Sequence, residues 1–331
     1  MPGMDEQVAP ATIAVVGAGA VGSYYGARLA RAGHDVRFLM RRDLEAVRTR
    51  GLDIRSKDGD FRLPNVTAVG DSSELGVVDW VICSVKATAI EDARRLVAPC
   101  LGPRTRIVAL MNGLGIEARF AGWFGAERVF GGMAFVCINR GEPGVVHHLD
   151  YGRVSIGHAL DEPSEAESLG ALLASAGLDV TVAPNLRYAR WEKLCWNVPF
   201  NGLSVAAGGV GTQVIVTDEA LSRVAEQAMR EVVAAANADL AGAGSLERLD
   251  EDRVVTAMFT QTRSMGDYLT SMCIDFREGR PLEVEAILGE PVRRARALGV
   301  AVPAMDALYA LVRHLGATRA RGAMAETVQA S

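Results

Sequence analysis

The chain has 331 residues, 49% of them apolar and 23% charged, with a formal net charge of −5. That length allows two domains with sizeable cores, the composition is that of an ordinary globular protein, and basic blocks no longer than Arg41-Arg42 or Arg293-Arg294 argue against a nucleic-acid surface. No run approaches about 18 uninterrupted apolar residues, which argues against a membrane span, and residues 1–11 carry Asp5 and Glu6 without an apolar signal core, so they are not read as a secretory peptide.

Residues 12–42, TIAVVGAGAVGSYYGARLARAGHDVRFLMRR, read as a βαβ unit: a β-branched strand over 13–16, a glycine turn, a helix to about residue 32 and a second strand over 36–40. In the turn Gly17-Ala18-Gly19-Ala20-Val21-Gly22, Gly17 permits the sharp exit from the strand. Gly19 lets backbone N–H groups approach a pyrophosphate, and Gly22 lets the helix lie close on the sheet. The anion would then sit at the positive end of the helix. A glycine pattern alone is weak evidence, but its place between a strand and a helix is the context that dinucleotide binding requires. An NAD site usually places an acid about 20 residues further on. Here Met40 is followed by Arg41 and Arg42, and guanidinium groups suit a 2′-phosphate, so NADP(H) is expected rather than NAD. The alternative for this pair is solvated loop charge.

A short helix over 44–50 ends at Gly51, and residues 52–68 carry Asp58-Gly59 and Pro64, which suggests a hairpin-like excursion. A buried strand over 77–85 ends at Lys86, a helix spans 89–97, and a strand over 106–111 runs into Asn112-Gly113. In open parallel sheets, ligands bind beyond the carboxyl ends of strands near the reversal of strand order. The glycine turn, Lys86 and Asn112 all fall at such ends, although each alone could be an ordinary turn or surface residue. Strands over 129–138 and 145–156, a helix over 164–176 and a strand over 179–183 complete a first domain of residues 1–184.

Residues 185–331 change character to helix, with candidates over 220–241, 253–276, 283–298 and 303–315. In YARWEKLCWNVPFNGLS, residues 188–204, Lys193, Asn197 and Asn201 are spaced by four and form one helical stripe. Trp191, Trp196 and Phe200 flank it, and Pro199 is expected to kink the helix. The bland alternative is a solvated polar stripe. Further on come Ser271-Met272 and, after Gly279-Arg280-Pro281, Glu283 near a helix start. There Pro281 fits the first turn, and an acid is favoured by the dipole.

Together VVGAGAVG, SVKA, LMNGLG, RWEKLCWN with its later Asn201, SM and RPLEVEAILG resemble the ketopantoate reductases over nearly the whole chain. The resemblance implies a Rossmann-type doubly wound α/β domain followed by an all-helical 6-phosphogluconate-dehydrogenase-like domain, with substrate bound between them. It further implies NADPH-dependent reduction of a small-molecule 2-keto acid, 2-dehydropantoate, to (R)-pantoate. On the family pattern Lys193 is the proton donor, and Glu283 an acid that contacts substrate and helps position it, counted here also among the cofactor-side residues. Asn197, Asn201 and Ser271 match substrate-binding positions. Lys86 matches the cofactor side, Asn112 does so while also touching substrate, and Arg41 matches the 2′-phosphate arginine. Arg42, where relatives often carry glycine, and an extra segment over 240–250 depart from the pattern. A reductase of another 2-keto acid or imine, or a non-catalytic dinucleotide sensor, remain the competing readings. Five cysteines without a Cys-x-x-Cys pair suit a reduced cytoplasmic protein. The histidines lack ligand spacing, so no metal is expected. A homodimer is a further possibility, whereas nucleic-acid and membrane partners are not expected.

Overall fold

The computed structural model describes residues 9–329, with side chains to residue 319; the leader reading therefore falls largely outside the described residues. The chain divides into two compact units, Met1–Met111 with Ile116–Leu186, and Asn112–Gly115 with Arg187–Ser331.

The first unit opens with β1 (Thr12–Val16), α1 (Ala20–Arg31) and β2 (Asp35–Leu39), in parallel register with Ile13 opposite Val36. After α2 (Leu44–Arg50), β3 (Leu52–Ser56) and β4 (Phe61–Leu63) form the antiparallel hairpin expected around Asp58-Gly59, and β5 (Thr67–Val69) returns to pair with β2. Then follow β6 (Trp80–Cys83), α3 (Ile90–Val97), β7 (Arg106–Leu110), α4 (Ile116–Phe124), β8 (Val129–Arg140), β9 (Val145–His158), α5 (Pro163–Ser175) and β10 (Val180–Val182). The sheet order is β4-β3-β9-β8-β7-β6-β1-β2-β5, with β10 beside β9, and only the β3–β4 and β8–β9 pairs are antiparallel among the described strands. Order reverses at β1, whose neighbours are β2 and β6. The central strands β1, β6 and β7 are largely apolar because both faces are covered. Ile13 and Val15 enter a core with Tyr25 and Leu29 of α1 and Leu169 and Leu172 of α5, while Ala14 and Val16 alternate to the other side and are equally buried.

The strand expected over 77–85 is shorter. Val77 is exposed, the Asp79 carboxylate leaves the ladder to accept from the Thr12 N–H and hydroxyl (both 2.8 Å), and the chain turns after Cys83.

The second unit is helical: α6 (Leu186–Ala206), α7 (Thr212–Thr217), α8 (Glu219–Gly242), α9 (Glu251–Ser264), α10 (Ser271–Arg277), α11 (Glu290–Ala297) and α12 (Pro303–Gln329). Asp218, Asp250 and Thr270 cap their helices by accepting from Leu221, Arg253 and Cys273 N–H groups. A buried acid anchors this unit. Asp239 accepts from Trp191 Nε1 (2.9 Å), Arg187 (3.1 Å) and Arg294 (2.9 Å). Burial alone would raise its pKa, but these partners outweigh it and hold the carboxyl below its ordinary value. Glu231 likewise accepts from the N–H groups of Ala304 and Met305, satisfying first-turn donors of α12.

Two expectations fail here. The helix expected over 253–276 is broken between Ser264 and Ser271, where Gly266 takes φ +64° and Thr270 caps a new helix. The helix expected from residue 283 begins one residue later and leaves Pro281 outside it; its opening turn, Glu285–Gly289, is a π-turn. The α6 helix, by contrast, runs unbroken through Pro199.

Candidate functional site

In the first unit the glycine loop lies at the reversal point of the sheet, between the carboxyl ends of β1 and β6. Its three glycines are constrained differently. Gly17 has φ +93°, and a Cβ there would come within 2.6 Å of Val85 N. A Cβ on Gly22 would overlap Ser84 Oγ and lie 2.6 Å from Gly17 O. At Gly19 the nearest atom to such a Cβ is 3.9 Å away, so that face of the loop is open. The loop is thus clamped from the sheet side, where Ser84 Oγ donates to Gly17 O (2.8 Å), and open where a pyrophosphate would approach. No side chain caps α1 at Gly19 and no acid lies in its first turn, which leaves its positive end suited to an anion. Ala18 completes the loop and Ala20 and Val21 open α1, Lys86 follows β6 and is exposed, and Arg41 and Arg42 are exposed after β2. Ser84 and Arg140, which donates to Ala18 O (3.1 Å), were not apparent from the sequence. Both lie far along the chain from the motif they support.

In the second unit the stripe on α6 is buried. Lys193, Asn197 and Asn201 are 8%, 5% and 2% exposed, which excludes a solvated stripe. The flanking aromatics explain this, because they pack the helix on its other sides. Trp191 enters one core, while Trp196 and Phe200 stack at 5.2 Å in another, with Trp196 Nε1 donating to Thr262 Oγ1. Arg190 and Ser204 are buried too and extend the row at helical spacing, a signal readable as i±3 from Lys193 and Asn201. Ser204 Oγ makes no hydrogen bond among the described residues.

Two further segments of the same unit complete the group. Asn201 Oδ1 accepts from Met272 N–H (3.1 Å), tying the stripe to the start of α10, where Ser271 is exposed. Glu283, 9% exposed, immediately precedes the helix that carries the π-turn. The Ala286 carbonyl in that turn accepts from Leu114 N–H (3.0 Å), and Gly113, at φ +104°, lies so close that a Cβ would meet the Ala286 Cβ at 2.5 Å. The segment bearing Asn112 therefore docks on the turn that follows Glu283. Neither Lys193 nor Glu283 is without a partner, as buried charges require.

Other candidate chemistry is muted. All five cysteines are buried; burial pushes the Cys83 thiol up to about 12 and Cys100 to about 11, which disfavours the reactive thiolate. No group of His, Cys, Asp or Glu among the described residues has metal-binding geometry, and none of their helices is long and apolar enough to cross a membrane.

A doubly wound sheet with a glycine loop at its reversal point, followed by a helical unit that buries a Lys-Asn-Asn row, defines a two-domain dinucleotide-dependent oxidoreductase. The family pattern of ketopantoate reductase PanE/ApbA matches residues 13–161, and that of the ketopantoate reductase PanE/ApbA C terminal matches residues 185–316. The chain belongs to this family. A 2-dehydropantoate 2-reductase of Nostoc sp. is 37% identical over 308 residues, covering 91% of this chain and 94% of that protein. The crystal structure of a 2-dehydropantoate 2-reductase from Geobacter metallireducens is 42% identical with a TM-score of 0.88, covering 92% of this chain and 99% of that one. One from Methylococcus capsulatus is 34% identical with a TM-score of 0.83, covering 93% and 97%.

Proposed function

We propose that this protein reduces 2-dehydropantoate to (R)-pantoate with NADPH, serving pantothenate and coenzyme A synthesis. The observation that carries the reading is the burial of Lys193, Asn197 and Asn201 on one helical face, with Asn201 held to the start of α10 beside Ser271. The first unit would hold the dinucleotide and the second the keto acid. Gly17 to Gly22 would receive the pyrophosphate, Arg41 the 2′-phosphate, and Lys86 and Asn112 would contact the cofactor. When bound, NADPH supplies the hydride to the keto carbon.

Reduction builds negative charge on the carbonyl oxygen. The Lys193 ammonium would stabilise that charge and donate the proton, a step typically worth about 10²–10⁴ in rate. With its Oδ1 committed to Met272 N–H, Asn201 presents its NH2 group as donor to a substrate oxygen. Asn197 would donate similarly, Ser271 would bind the substrate carboxylate, and Glu283 would orient the substrate. The sensor reading is disfavoured because dinucleotide sensing needs neither a buried lysine nor a buried acid. A test is loss of nicotinamide absorbance with 2-dehydropantoate, a panel of other 2-keto acids, and NADPH or NADH. Preferred turnover of 2-dehydropantoate with NADPH is expected; turnover of another keto acid alone would refute the substrate assignment.

A further inference from the structure

Three charged groups around the end of β2 are arranged in a way that the cofactor motif does not require. Asp43 occupies the N-cap of α2, a position where an aspartate normally accepts from the first-turn N–H groups. Its carbonyl does serve the helix, accepting from Val47 N–H (2.9 Å), but its carboxylate makes no cap hydrogen bond. Instead Oδ2 lies 3.2 Å from a guanidinium nitrogen of Arg140, and Oδ1 is 3.8 Å from Arg42. The same Arg140 nitrogen donates to Ala18 O within the glycine loop (3.1 Å). The Asp43 side chain is 13% exposed and that of Arg140 35%, so the acid is largely withdrawn from solvent and its partner is not.

We propose that Arg140, the last residue of β8, is a positioning and specificity-determining residue for the cofactor's 2′-phosphate. The inference rests on the NADPH reading above. An acid at the end of the second strand is what accepts from the ribose hydroxyls in NAD sites, and the same charge would repel a phosphate dianion. Arg140 neutralises the first acid beyond that strand, whose other carboxylate oxygen faces Arg42. By also holding Ala18 it ties the glycine loop to the arginine-bearing segment, so that pyrophosphate and 2′-phosphate sites keep a fixed spacing. Arg41 would contact the ligand, with Arg140 acting through Asp43 and the loop.

The test is direct titration of NADPH and NADH onto the full-length protein and its Arg140→Gln, Arg140→Lys, Asp43→Asn and doubly substituted Arg140→Gln/Asp43→Asn forms. The unsubstituted protein should prefer NADPH. In Arg140→Gln the exposed carboxylate should weaken NADPH about fivefold, the scale of a partly screened charge pair, while NADH changes little. Asp43→Asn alone should keep the NADPH preference. The double variant should regain most of it, as coupling through one pair requires, and Arg140→Lys should retain most of it. An unchanged NADPH-to-NADH ratio in Arg140→Gln, equal weakening of both cofactors without recovery in the double variant, or lost preference in Asp43→Asn would overturn the assignment while leaving the NADPH reading intact. Should Arg140→Gln not fold, the Asp43→Asn and Arg140→Lys ratios decide. Absence of NADPH preference in the unsubstituted protein would instead refute the cofactor reading itself.

Discussion

Gly113 offers a quantitative check on how the second unit assembles its polar group. Alanine at this position carries two costs. At φ +104° an L side chain is strained by ~1–2 kcal/mol, and the new Cβ would lie 2.5 Å from Ala286 Cβ and 2.7 Å from Ala286 O, an overlap that typically costs ~1–3 kcal/mol to relieve. The expected total is ~2–5 kcal/mol, which for a unit of this size lowers its thermal transition by roughly 5–15 °C. Gly33→Ala supplies the control: its φ is +97° but nothing lies within 4 Å of a Cβ there, so only the backbone cost of ~1–2 kcal/mol applies. Relief of the overlap should push the Glu285–Gly289 turn away from Leu114 and disturb Glu283 and Asn112 together. Calorimetry should show the larger loss for Gly113→Ala, and kcat/KM for the keto acid should fall about tenfold or more. Equal transitions for the two variants, with unchanged kinetics, would refute the docking of residues 112–115 on the π-turn as a determinant of the site.

Lys193→Ala should lower turnover by about two decades or more while NADPH still binds, a split read by steady-state kinetics beside cofactor titration; normal turnover would remove the lysine from the mechanism. Gly22→Ala places a Cβ on Ser84 Oγ and 2.6 Å from Gly17 O, so dinucleotide affinity should fall about tenfold or more; retained affinity in a titration would show that the loop tolerates a side chain. Asp239 has a folded-state pKa below its ordinary value. It therefore contributes stability that is present above about pH 4 and lost as pH falls through the folded value. Asp239→Asn should unfold more easily than the unsubstituted protein at neutral pH, and the two urea midpoints should converge in acid. A constant gap between them would contradict that linkage.

The βαβ unit was legible because three independent signals coincide over residues 12–42: β-branched runs, glycines at fixed offsets and a helical period. The stripe on α6 was legible as spacing, but its burial was not, since that depends on Trp191, Trp196 and Phe200 meeting partners from α8 and α9. The break between Ser264 and Ser271 was hidden by apolar spacing that continues across it, whereas Gly266 and the Thr270 cap were the local cues that could have marked it. Arg140 and Ser84 were beyond reach, because side-chain-to-carbonyl bonds over more than 60 residues leave no periodic trace.

The assignment of Asn112–Gly115 to the helical unit bears on how the polypeptide leaves the ribosome. These four residues are synthesised in the middle of the sheet, yet the carbonyl that receives the Leu114 N–H belongs to Ala286, more than 170 residues later. During synthesis the connection after β7 must wait until nearly the whole chain has emerged, and a fragment starting at residue 187 would lack the strap that packs on its π-turn. The helical half is thus complete only as part of the whole chain.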